Sequence, residues 1–271
     1  MKMMQENIHA FTSVDQAVDP NSLVRFLETA AGYFGPLNAR SFALLRVASG
    51  SSVLDVGCGM GNDVASLATL VGRDGQVVGL DSSKAMIAEA VRRTSNSNLP
   101  VKFQLGDAEK LAFADADFDA VRSSRLLCHL QEPRLALTEM IRVLRPGGHL
   151  VIIEPDHDTL VIAAPQRETT RKIISHFSDG FRHGRTGRWL PVWCRELGLI
   201  DIQVEPYTIQ MDYEFLLDGL RLDETVRRVQ EAGTVTAEEA FAWMNWQKQA
   251  AVAGLFYSAL TFFMVCGRKR G

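Results

Sequence analysis

The chain has 271 residues, 46% of them hydrophobic and 23% charged, the balance of a folded protein with ample apolar material for a core. A net charge of -3 leaves no broad basic surface for phosphate backbones, so nucleic acid is not an expected partner. Cys58, Cys128, Cys194 and Cys266 stand far apart with no CxxC pair, which argues against a zinc site or a disulfide framework and for reduced, cytoplasmic thiols.

The first residues, MKMMQENIHAFTSVDQ, lack the apolar core of a signal peptide, so export is not expected. Residues 1–50 carry helical patterns over 22–31 and 39–48 with a break at 32–36, and are read as an N-terminal helical cap or lid. From residue 52, short apolar runs alternate with helical segments, the signal of βαβ units and a parallel sheet. Strands are expected over 52–56, 76–80, 101–105, 118–123 and 149–153, with helices over 62–71, 83–94 and 134–144. Further on, 166–181 and 191–196 read as helices and 200–211 alternates as a strand. Thr236 and Glu239 have the spacing of a capping box that opens a helix through about residue 249. The uncharged stretch 249–267 approaches the length of a membrane helix, but Gly254 and the β-favouring residues after it fit a helix end followed by a buried strand. No stable membrane insertion is therefore expected. The body of the chain is 51–271, with a helical insertion at about 212–253.

The strongest local motif is the run from Val53 to Asn62, VLDVGCGMGN, in which a strand enters a glycine turn and a helix follows. Glycines let a backbone approach a ligand closely, and the first amides of the helix are free to bind it. A dinucleotide fingerprint needs a third glycine where this chain has Asn62, so that reading fails. Asp81 ends the second strand, where a carboxylate can accept hydrogen bonds from a ribose diol or, with Ser82 and Ser83 behind it, cap a helix. Asp107 ends the third strand as an adenine contact or a turn residue. Three consecutive strands thus present a glycine turn, an acid and an acid at the carboxyl edge where open α/β sheets bind ligands.

In order and spacing, VLDVGCGMGND, VVGLDSS, GDAEKLAFADADFDAVRSS and VLRPGGHLVIIEP resemble the successive motifs of class I S-adenosylmethionine-dependent methyltransferases, over residues 52–155. The remainder is more loosely similar to small-molecule methyltransferases of the ubiquinone/menaquinone type and of natural-product tailoring. The resemblance implies a Rossmann-like, doubly wound, mostly parallel seven-stranded sheet with an antiparallel strand at its C-terminal end. It implies that Gly57, Gly59 and Gly61 line the methionine moiety of S-adenosyl-L-methionine, with Asp55 supporting the loop. Asp81 with Ser82 would face the ribose, Met86 would lie against the adenine unless it is plain helix core, Asp107 and Ala108 would contact the adenine edge, and Ser123 would sit beneath the ammonium. The product besides the methylated acceptor would be S-adenosyl-L-homocysteine.

Methyl transfer to O, N or C of a small molecule is an in-line displacement, so alignment and water exclusion should supply most of the rate. A general base is needed only for an acceptor that must lose a proton, and His129, Asp156 and His157 are the candidates, His129 first. The run Glu154–Asp158 could suggest a metal, but adjacent residues in a loop rarely converge on one ion, and none is expected. Arg182 and His183, in a segment with Arg185 and Arg188, read as a substrate lid or as a solvated loop. Trp243, with Met244 and Trp246, lines an acceptor pocket or packs the core. The expected partners are a small-molecule substrate and, at most, a second copy in a homodimer. Two alternatives stay open: a cyclase or rearrangement enzyme that binds the same cofactor, and a non-catalytic binding partner.

Overall fold

The computed structural model describes residue 15 and residues 20–271. Five apolar runs form the parallel part of the sheet: β1 (Ser52–Val56), β2 (Gln76–Asp81), β3 (Val101–Leu105), β4 (Phe118–Ser124) and β5 (Leu144–Pro155), in the order β3-β2-β1-β4-β5. The central strands are apolar on both faces because helices cover both. Val53, Ala120, Val151 and Ile153 feed one core, while Leu54, Val121 and Ile152 feed the other. Successive residues point to opposite sides of the sheet, so one run of sequence serves two layers.

The sheet continues through β8 (Ser258–Arg268), which runs antiparallel to β5. β7 (Ile200–Met211) pairs along the whole of β8, and the two-residue β6 (Val161–Ile162) pairs with Ala259 and Ser258. Because β7 occupies one edge of β8 throughout, β6 must extend the edge that β5 occupies. The seven expected strands are present, β6 makes an eighth, and β8 is the one reversed strand of the described sheet. The uncharged stretch at 249–267 divides as expected, into the end of α8 (Ala237–Val252) and β8. Among the described residues no helix is long and apolar enough to cross a membrane.

Around the sheet lie α1 (Pro20–Leu44), α2 (Asn62–Val71), α3 (Lys84–Thr94), α4 (Pro133–Val143), α5 (Arg167–Asp179), α6 (Thr186–Glu196) and α7 (Leu222–Glu231). Residues of α4 and α6 share one core, and residues of α1, α2, α5, α7 and α8 share the other. The capping box at Thr236 and Glu239 is formed in both directions. The break expected at 32–36 does not occur, since α1 runs through Pro36 without interruption. A proline ring collides with the carbonyl four residues back, here that of Gly32, and forfeits one hydrogen bond. Burial of Ala30, Phe34, Leu37 and Leu44 in the shared core holds the helix in spite of that loss.

The most demanding feature of the core is Arg122, a guanidinium on β4 that is only 1% exposed. It donates to Asp55 on β1 at 3.0 Å and to Asn38 and Ser41 on α1 at 3.0 and 2.9 Å, and pairs with Asp63 in the first turn of α2 at 3.0 Å. Burial disfavours its charge, but Asp63 and Asp55 more than compensate and hold it above its ordinary value. Burial also pushes Asp55 up to about 6 against the pull of Arg122, as expected where two carboxylates share one cation. Removing one partner from such a set strands the other charges without water. Arg122→Met should therefore lower the unfolding free energy by about 3–5 kcal/mol in urea denaturation. A loss below about 1 kcal/mol would mean that the acids are protonated and satisfied without it.

Candidate active site

At the carboxyl edge the chain leaves β1 through Gly57, Gly59 and Gly61, all at positive φ (75°, 52° and 79°). Two of these glycines are required by the protein itself. A β-carbon at Gly57 would come within 3.0 Å of Leu126, and one at Gly61 within 2.8 Å of the Phe103 ring. Helix α2 begins at once with no side-chain cap, so its first-turn amides have no intrahelical partner and face the edge as donors.

Asp81, at the end of β2, is tied to this turn. Its carboxylate accepts the Gly59 amide at 2.9 Å and, through the other oxygen, the Ser83 amide at 2.9 Å. Burial raises its pKa, and the backbone donors pull the other way. Each oxygen keeps a lone pair, and the side chain is held in one orientation before any ligand arrives. Ser82 is exposed beside it, while Ser83 caps α3 by accepting the Met86 amide. Met86 is buried, consistent with either expected role. No local pattern pointed to Asp15, which accepts from the Ser83 hydroxyl at 2.5 Å and the Lys84 and Ala85 amides at 2.9 and 3.2 Å. A residue 68 positions upstream therefore closes over the start of α3. At the end of β3, Asp107 is exposed and spends one oxygen on the Glu109 amide at 2.8 Å, with Ala108 buried beside it. Ser123 is buried at the end of β4, its hydroxyl donating to the Val56 carbonyl at 3.0 Å and keeping its oxygen lone pairs.

Beyond β4 and β5 the residues of the expected acceptor side separate. Glu154, fully buried, accepts the amides of Leu126, Leu127 and Cys128 at 2.8, 2.7 and 3.2 Å and so caps the short turn Leu127–His129. Asp156 is gripped by two nitrogens of Arg188 in a bidentate pair. Asp158 accepts from the Ser178 hydroxyl at 2.5 Å. Asp156 and Asp158 thus share Arg188, the latter at 3.3 Å, while Glu154 turns to the amides after β4, and among the described residues no group of acids, histidines or cysteines is placed to hold a metal.

His157 is buried, stacked on Phe181 at 3.6 Å between centroids, with Nδ1 at 3.1 Å from the Gly184 carbonyl. That contact requires the proton on Nδ1, and burial pushes the ring's pKa down to about 4. These placements correct two expectations: the Asp156 carboxylate is committed to an arginine, and His157 is a neutral packing element too weakly basic to compete near neutrality. His129 stands apart from both, half-buried in the turn that Glu154 caps, with its ring 6.4 Å from that of Phe181.

Arg182 is exposed and His183 approaches the Gln131 carbonyl at 3.3 Å. The segment carrying them is fastened across the loops after β4 and β5 by His183, Phe181 and Arg188. Trp243 is a clear correction. It is fully buried and its indole N–H donates to Thr170 at 2.8 Å, so it is core and lines no pocket. An open groove lined by Tyr33, Met211, Asp212, Tyr213 and Phe256 lies at the end of β7 and holds none of the expected site residues.

Burial raises Glu154 to about 7 although its three amide partners oppose the shift. The unfolded chain releases this proton near 4.5, so between 4.5 and 7 the folded state holds a proton that the unfolded state has lost. This contribution to stability is present at pH 5 and lost as the pH rises through 7. Glu154→Gln removes it, and the stability difference between pH 5 and pH 7.5 should shift by about 2 kcal/mol relative to the parent, read from denaturant curves at both values. Parallel curves would show that Glu154 stays ionised throughout.

The sequence matches a family of methyltransferase domains over residues 48–201. It is 38% identical over 219 residues to an uncharacterized 37.1 kDa protein in transposon TN4556 of Streptomyces fradiae, covering 80% of this chain. The chain spans 62% of the length of that relative. A demethylmenaquinone methyltransferase of Lactobacillus johnsonii is 31% identical over 180 residues, 65% of this chain and 72% of its own length. The crystal structure of the YcgJ protein of Bacillus subtilis shares the fold, with a TM-score of 0.62 at 19% identity over 86% of this chain and 98% of that one. The matched span contains the glycine turn, the acids at the ends of β2 and β3 and the loops after β4 and β5, and the chain belongs to the methyltransferase-domain family.

Proposed function

We propose that this chain transfers a methyl group from S-adenosyl-L-methionine to oxygen, nitrogen or carbon of a small-molecule acceptor. The observation that carries the reading is the link between the glycine turn and Asp81, in which the Gly59 amide fixes a carboxylate beside the uncapped start of α2. A ligand that offers a diol to that carboxylate and a carboxylate to those amides fits both ends of this arrangement. The nucleoside and amino-acid ends of S-adenosyl-L-methionine have these two groups. When bound, the cofactor supplies an electrophilic methyl group on a sulfonium.

The chain's own residues bind and orient. Asp81 holds the ribose hydroxyls, Met86 and Ala108 flank the base, and the second oxygen of Asp107 receives its amino group. The α2 amides take the methionine carboxylate, and Asp15 helps to close the ribose side. The acceptor lies over the ends of β4 and β5, screened from water by the segment fastened through Phe181 and Arg188. Where the acceptor must lose a proton, His129, half-buried in the turn after β4, is the residue we assign to it. The chain's charge of -3 and this enclosed setting favour a small acceptor over a polymer.

Two measurements test the reading. Incubation with methyl-labelled cofactor and a metabolite extract should place label on a small molecule, and absence of transfer despite tight cofactor binding would overturn it. Asp81→Asn keeps one acceptor oxygen but loses the charge, and should weaken S-adenosyl-L-homocysteine binding by tenfold or more, roughly 1.5–3 kcal/mol, in calorimetric titration. Unchanged affinity would remove Asp81 from the ribose.

A further inference from the structure

Immediately after β4, two side chains in succession have hydrogen-bond capacity that the protein leaves unused. The Ser124 hydroxyl and the Arg125 Nη1 are both buried, and neither has a hydrogen-bond partner among the described residues. Arg125 takes a positive φ of 56°, a conformation that L side chains rarely adopt, with its amide donating to the Ile153 carbonyl at 2.7 Å. Such outliers persist where the surroundings enforce them, and they gather at ligand sites. The guanidinium lies over the Phe34 ring of α1, 4.1 Å from its centroid.

Among the described residues the acids that act on this cation already have partners. Asp55 and Asp63 belong to Arg122, and Glu154 is filled by three amides. Burial works against the charge of Arg125, and these acids influence it only from beyond hydrogen-bond range. Arg125 is half-buried, and a buried guanidinium nitrogen without an acceptor is costly, so a partner is wanted that supplies oxygen lone pairs and negative charge. Two-residue alternation along β4 puts Ser124 on the same face as Arg122, toward α1. The two unused donors therefore lie at the carboxyl edge between the Gly57 turn, which Leu126 touches, and the end of β5.

We propose that Ser124 and Arg125 form an oxyanion receptor that anchors the methyl acceptor through a carboxylate or phenolate outside the reacting centre. The inference rests on the methyl-transfer reading above. The cofactor's own carboxylate has a separate receptor in the free amides of α2, on the other side of the glycine turn. The anchored oxygen is not the nucleophile, because a guanidinium bonded to it would withdraw the electrons the reaction uses. This role makes Arg125 a residue that selects anionic acceptors, with Phe34 as a stacking floor.

The test uses the full chain, methyl-labelled cofactor and a metabolite extract split by anion exchange into retained and unretained fractions. Label is expected in the retained, anionic fraction. The labelled acceptor recovered from it should show kcat/KM reduced about 100-fold by Arg125→Met and about fivefold by Ser124→Ala, with Arg125→Lys in between, chiefly through KM. S-adenosyl-L-homocysteine affinity should stay within twofold in all three, which also reports that they are folded. Label confined to the unretained fraction overturns the receptor and leaves methyl transfer standing. A tenfold loss of S-adenosyl-L-homocysteine affinity in Arg125→Met, with no matching loss for the decarboxylated cofactor, assigns Arg125 to the cofactor's carboxylate and overturns it too. No label in either fraction takes down both readings.

Discussion

The placement of everything at the carboxyl edge depends on one buried cation. Arg122 reaches from β4 to β1, to the first turn of α2 and to α1, joining four elements through one buried guanidinium. Because Arg122 and Asp55 are both buried, neither can relax away without leaving a charge unsolvated. The geometry is therefore held far more tightly than apolar packing alone would hold it, since apolar contacts have no preferred direction. The position of α1 over the strand ends, and with it the placement of Phe34 on Arg125, follows from that constraint.

Around this fixed centre the backbone supplies most of the recognition surface. Asp81 binds the turn through Gly59, Asp15 binds α3 through two amides and a hydroxyl, and Glu154 binds the turn after β4 through three amides. In each case a carboxylate satisfies donors that a loop or helix start cannot satisfy internally. Two of them stand on strand ends and the third reaches over a helix start, so the loops inherit the rigidity of the sheet. This is how a fold with mobile connections can present a preorganised edge.

Much of this was legible in the sequence, and the part that was not has a common cause. The strands β1 to β5, the glycine turn, β7 and the capping box are local patterns, fixed by alternation, by spacing or by a residue and its third neighbour. The fates of Asp156, His157 and Trp243 were decided by Arg188, Phe181 and Thr170, residues 24 to 73 positions away, which no local window contains. Ser123 stands on the expected strand end, and the bond from its hydroxyl to the Val56 carbonyl on the neighbouring strand could not be read from a local pattern. Continuity of α1 through Pro36 was hidden because tertiary burial overrode a sound local rule. Arg122 did leave a signal, a cation in the middle of the strand FDAVRSS, which in a sheet covered on both faces has to find acids.

The reversed strand has a consequence for how the chain assembles. β8 lies between β5 and β7 in space but follows both in sequence, by more than a hundred residues in the case of β5. Until it is in place, β5 and β7 each present an unpaired hydrogen-bonding edge, and those of β5 are among the most apolar in the molecule. Open apolar edges recruit other strands readily. The period before β8 inserts is therefore when the growing chain is most exposed to misassociation, and closure of the sheet is a late, long-range event.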